Sequence, residues 1–227
     1  MFRTVPRAAG TRLLTGLALL LGLPSTAAAL PLISEVFYDA VGSDDGQSFV
    51  EIYGTPGTSL DGLVLEGVNG SNGAVTHSLA LAGAIPADGI FLVADGVSGG
   101  STSVAGADLI LEFDFQNGPD SVRLLSADAS VLDAVGYGEF APDEFFAGEG
   151  EPAEDAVAGF SLARLFADVD TDDNASDFTV GVPTPGVAAL AVPEPSTAML
   201  LGMGLAALGH VGRHRRRPSG GGPHPPL

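Results

Sequence analysis

The residues best suited to chemistry lie in the run ADVDTDDNASDF. Asp168, Asp170 and Asp172 alternate, with Asp173, Asn174 and Asp177 close behind, so a folded loop there would gather several hard oxygens. Calcium takes about six to eight such ligands, and the first three spacings match the opening of an EF-hand loop. The rest departs from that pattern: Asp173 stands where the sharp-turn glycine belongs, and Thr179 where a bidentate glutamate is needed. The stretch therefore reads either as a Ca2+ loop of another kind or as an exposed acidic loop that solvates the edge of a fold. Outside it, catalytic patterns are thin. The region between the chain's two atypical ends has one histidine, His77, with no marked serine partner, no paired metal-binding histidines and no phosphate-cradling glycine loop. Carboxylate pairs of the kind that hydrolyse glycosides are a three-dimensional feature, and acidic residues are too numerous here for any pair to stand out.

That acidity is itself informative. From Leu30 to Ala191 there are 27 acidic residues against only Arg123 and Arg164, a formal charge of −25, and the chain has no lysine. Such a surface repels phosphate backbones, so nucleic acid is excluded as a partner of this region; divalent cations, basic partners and high solubility are favoured. The chain has no cysteine. A core of this size must then hold without disulfides, which a region of about 160 residues can do.

Both ends differ from the middle. Residues 1–29 carry Arg3, Arg7 and Arg12, then the apolar LLTGLALLLGL, then STAAA, with Ala27 and Ala29 as the small residues of a cleavage site. This is the layout of a secretory signal peptide, with a short N-terminal anchor as the alternative. At the other end, Val192, Pro193, Glu194 and Pro195 precede the apolar Thr197–Val211, followed by Arg213, Arg215, Arg216 and Arg217. The prolines keep the entry segment extended. The apolar stretch is short for a bilayer unless the arginines snorkel, and their charge belongs on the cytoplasmic side, which leaves the acidic region outside.

These three parts in this order resemble the PEP-CTERM sorting signal of exopolysaccharide-producing Gram-negative bacteria. The resemblance implies that a membrane-embedded, transpeptidase-like cysteine protease, an exosortase, recognises residues 191–217 and removes the tail. An ordinary single-span C-terminal anchor is the alternative. The PSGGGPHPPL at 218–227 reads as a disordered end.

The elements that must position any site come from residues 30–190. Apolar runs there are short, alternate with polar residues and are separated by Gly, Pro, Asn and Asp, which predicts an all-β sandwich. The expected strands are LISEVFY, FVEIYG, LVLEG, AVTHSLAL, GIFLVAD, LILEFDF, SVRLLSAD, SVLDAVGY and FSLARLF, each with one buried face. Ser126 to Ser130 reads as a hairpin loop. Glu139 to Phe160 reads as a long mobile loop whose Phe140, Phe145 and Phe146 cover the core, dock on a partner or stack on sugars.

The ordered segments LISEVFYDA, FVEIYGTPGTSLDGLVLEG, LAGAIPADGIFLVADG, NGPDSVRLLSADASVLDAVGYG, GFSLARLFADVDTDDNASDF and VGVPTPG resemble the bacterial form of the lamin-tail domain. That resemblance implies an immunoglobulin-like β-sandwich that binds or builds and carries no common active site. The expectation is thus a sandwich flanked by an N-terminal signal helix and a C-terminal hydrophobic helix. It is exported, held in the inner membrane with its body outside, and then released to the cell surface or extracellular matrix of a Gram-negative bacterium. Its role is non-catalytic, with an extracellular polysaccharide, a surface protein or calcium as ligand. The rival reading is a secreted carboxylate-dependent hydrolase acting on exopolysaccharide.

Overall fold

The computed structural model describes residues 30–191. The expectations for Ala27 and Ala29, for Val192 to Pro195, for the terminal helices and for Arg213, Arg215, Arg216 and Arg217 lie outside the described residues. The described chain forms ten strands: β1 (Leu32–Phe37), β2 (Phe49–Tyr53), β3 (Val64–Asn69), β4 (Val75–Ala80), β5 (Ile90–Asp95), β6 (Leu109–Leu111), β7 (Asp120–Leu125), β8 (Val131–Tyr137), β9 (Ser161–Arg164) and β10 (Phe178–Gly181). One four-residue helix, α1 (Asn174–Asp177), precedes β10. No helix among the described residues is long and apolar enough to cross a membrane.

The strands make two sheets, ordered β10-β9-β1-β2-β5-β6 and β4-β3-β7-β8, in keeping with an all-β sandwich. Period-two burial builds the core between them. Val122 and Leu124 point inward while Arg123 between them turns out to Glu66 at 2.6 Å. Across the layer, Ile33, Val36, Val50 and Ile52 of the larger sheet meet Leu65, Val122, Leu124 and Val135 of the smaller one. A bulge between Ile33 and Glu35 puts both Ile33 and Val36 in this core. Tyr38 and Tyr137 stack at 4.3 Å between centroids. The expected hairpin forms at Ser126 to Ser130, where the two residues are bonded main chain to main chain at 2.9 Å.

One expectation is corrected. Strands β1 and β5 are buried along their whole length, on both faces. On β5 the outer face is covered through Leu92, which packs with Phe37, Phe49 and Val104; on β1 the cover comes from after β10, where residues 182–191 turn back as a strap over the outer face of the larger sheet. Thr184 gives its amide and hydroxyl to Glu35, each at 2.9 Å, and the Gly186 amide reaches Glu51 Oε2 at 2.8 Å. Ser161 and Ser34 donate to the same two carboxylates from below, at 2.5 and 2.7 Å. Two glutamates buried to 1% exposure are thus saturated with donors, as buried carboxylates must be. Phe37, Phe49 and Leu92 form a second small cluster on this outer face.

The Glu139–Phe160 segment is docked on the smaller sheet. The Ala153 amide donates to Gly136 O at 2.8 Å, Phe140 and Phe146 meet edge to face at 5.1 Å, and a Cβ at Gly136 would strike the Phe146 ring. Phe145 remains half exposed.

Candidate functional site

The chemistry-bearing loop is organised around Arg164, the last residue of β9. A strand position flanked by apolar residues drives this side chain inside, and its guanidinium is fully buried. It meets Asp133 of β8 in a two-pronged pair at 2.9 Å, Asp177 at 3.0 Å and Asp170 at 3.2 Å. Nε donates to Ile33 O, Nη1 is shared between Val169 O and the carboxylates of Asp170 and Asp177, and Cζ lies 4.6 Å from the Phe178 ring centroid. Asp133 also accepts the Ile33 amide at 2.5 Å, so this one pair ties the two sheets together. Burial raises the Asp133 carboxyl to about 6 against the opposing pull of Arg164.

Glu149 completes the cluster. Its main chain is fixed by Asn174, whose Oδ1 accepts the amides of Gly136 and Glu149 at 2.8 and 2.9 Å and whose Nδ2 donates to Ala134 O. Its Oε2 atom is buried without a hydrogen-bond partner. Burial, then the neighbouring charges of Asp133, Asp170 and Asp172, push this carboxyl up to about 8. Asp133, Glu149 and Asp170 each bring an oxygen within 4.8 Å of the others. The arrangement holds more carboxylates than its single guanidinium neutralises, and it can take up a proton or share a hard cation.

Of the six residues expected from sequence, only Asp170 joins that trio. Asp177 pairs with Arg164 and with Thr171 (2.7 Å to its hydroxyl), Asn174 ties loop to strand, and Asp173 precedes α1 and accepts from Glu151 and Ser176. Asp168 takes the Ala191 amide at 2.7 Å, and Asp172 occupies left-handed backbone at φ 55°. Asp133 and Glu149 were missed. The available signal was the scarcity of cations: an arginine inside the apolar FSLARLF had to draw buried carboxylates from elsewhere in the chain.

A cleft of about 690 Å³ opens at the far end of the sandwich, lined by Asp44, Asp45, His77, Asp95, Glu112 and Asp114. His77 meets Thr76 Oγ1 at 3.3 Å and the Asp114 amide at 3.4 Å, so neither contact is to a carboxylate or a serine. Asp95 accepts the amides of Gly46 and Phe113 and holds the cleft's rim. Burial and the Asp44 charge raise the Asp114 carboxyl, with His77 opposing.

Comparison with known proteins locates a family match at one end of the chain. Residues 191–217 match the PEP-CTERM protein-sorting motif. A chain bearing this motif is a substrate for exosortase-type sorting toward the cell surface. No curated protein matches the chain, and no solved structure matches it.

Proposed function

We propose that this chain is the precursor of a non-catalytic surface protein whose body, a lamin-tail-like sandwich of immunoglobulin type, is the cargo of its own sorting signal. The observation that carries this reading is the sorting motif at residues 191–217, whose first residue is still bonded to the body. The strap stays bonded to the body as far as Ala191, and the sorting motif starts at that residue. Everything from Leu30 to Ala191 is therefore displayed as one unit once the tail is removed. Residues 1–29 direct export, the apolar Thr197–Val211 holds the precursor in the membrane, and the enzyme cuts near Pro193 to Pro195. An extracellular polysaccharide or a neighbouring surface protein is the ligand class, with the 690 Å³ acidic cleft as the concave surface offered to it.

A second reading concerns calcium, and the Asp133, Glu149 and Asp170 trio favours it over the six-residue loop. Binding would displace the proton that Glu149 otherwise holds and would have to offset repulsion from Arg164.

The main reading is tested in a host with an exosortase-type enzyme. The native chain reaches the outer fractions, whereas P193A/P195A stays in the inner membrane. Equal release of both chains would overturn it.

A further inference from the structure

We infer that the end of the sandwich from which both termini leave is a lipid-facing surface, resting on neutral headgroups of the membrane that holds the tail. This rests on the reading of Thr197–Val211 as the membrane-inserting segment. Arg164 Nε donates to Ile33 O, which sets the start of β1 beside the end of β9, and Leu30 precedes that start. The Ala167 amide bonds Ala189 O and the Ala191 amide bonds Asp168, so the C-terminal exit lies at the same end. Four large apolar side chains are exposed there: Leu30 at 61%, Leu165 at 49%, Leu190 at 47% and Phe166 at 46%.

The tether fixes the occupant. Five residues lie between Ala191 and Thr197, six steps of the chain and a reach of at most about 20 Å when fully extended. The tether keeps the body within about 20 Å of the inserting segment, and the apolar end is the one turned toward it. A tether this short keeps the local concentration of lipid high, so even a modest apolar contact forms. The carboxylates of Asp168 and Asp170 beside the patch repel anionic headgroups, which selects a neutral surface.

The chain has no tryptophan, so single tryptophans report cleanly. The membrane-held precursor is reconstituted in phosphatidylcholine vesicles with brominated acyl chains, carrying F166W, L165W, V41W or L201W one at a time. Val41 is 79% exposed and follows the other end of β1. The expected result is quenching of L201W, F166W and L165W with V41W unquenched, and weaker quenching of F166W when phosphatidylglycerol is added. Quenched L201W with F166W and L165W as bright as V41W would overturn the surface while leaving the sorting reading intact. Quenching of V41W to the same extent as F166W would also overturn it. An unquenched L201W would overturn both.

Discussion

Arg164 is one of two cations facing 27 carboxylates between Leu30 and Ala191, and it is the one placed inside. Removing it leaves Asp133 charged, buried and unpaired, an arrangement that costs about 3–5 kcal/mol. R164M should therefore lower stability by about that amount in urea titrations, and D133L/R164M should lose less than the sum of the single changes. An R164M loss below about 1 kcal/mol would mean that the pair does not tie the sheets together. Glu149 gives a pH signature. A carboxyl raised from 4.5 to about 8 in the folded chain binds more protons there than when unfolded, so stability falls as pH climbs through that window. Asp133, raised from 3.8 to about 6, contributes with the same sign over its own lower window. E149Q should flatten the decline between pH 6 and about 8 in melts at fixed ionic strength; an unchanged slope would show that the proton is not held there. At this scale the sequence was half legible. The alternating aspartates lie in the loop from which Asp170 and Asp177 reach Arg164. Asp133 and Glu149 come from a strand and a loop distant in sequence, and no local spacing reveals which carboxylates a buried arginine will draw in.

The strap and the docked loop cover the two sheets, and each has a residue that tests it. Thr184 supplies two of the donors on Glu35. T184A removes the hydroxyl and keeps the amide, so hydrogen exchange should accelerate at Gly186 and Ala191 while Val122 and Leu124 in the core stay protected. Equal protection in both chains would show that the strap is held by other contacts. On the smaller sheet, G136A places a methyl against Phe146, and the overpacking should cost about 1–3 kcal/mol with Phe145 and Phe146 more accessible to protease. Nine strands were legible because alternation and Gly, Pro, Asn and Asp punctuation are local signals. The tenth, FTVG, was hidden behind the helical turn NASD, whose four residues carry no period. The parallel pairing of β6 with β5 and the burial of β1 on both faces depend on segments distant in sequence, so neither could be read from the strands themselves.

As a whole the molecule is a strongly acidic body followed in sequence by a sorting signal that starts at residue 191. Self-repulsion at a formal charge of −25 opposes compactness, and salt screens it over about 10 Å at 0.1 M. The melting midpoint should rise with sodium chloride, and a fall would mean that the few ion pairs outweigh the repulsion. The proposed function holds that residues Leu30 to Ala191 are what reaches the surface once the signal at 191–217 has been processed. Terminal-peptide mass spectrometry of the surface-exposed protein from its host tests this most directly. The expected result is an N-terminus near Leu30 and a C-terminus between Ala191 and Pro195. Intact peptides containing Arg213 to Arg217 in that same fraction would contradict it.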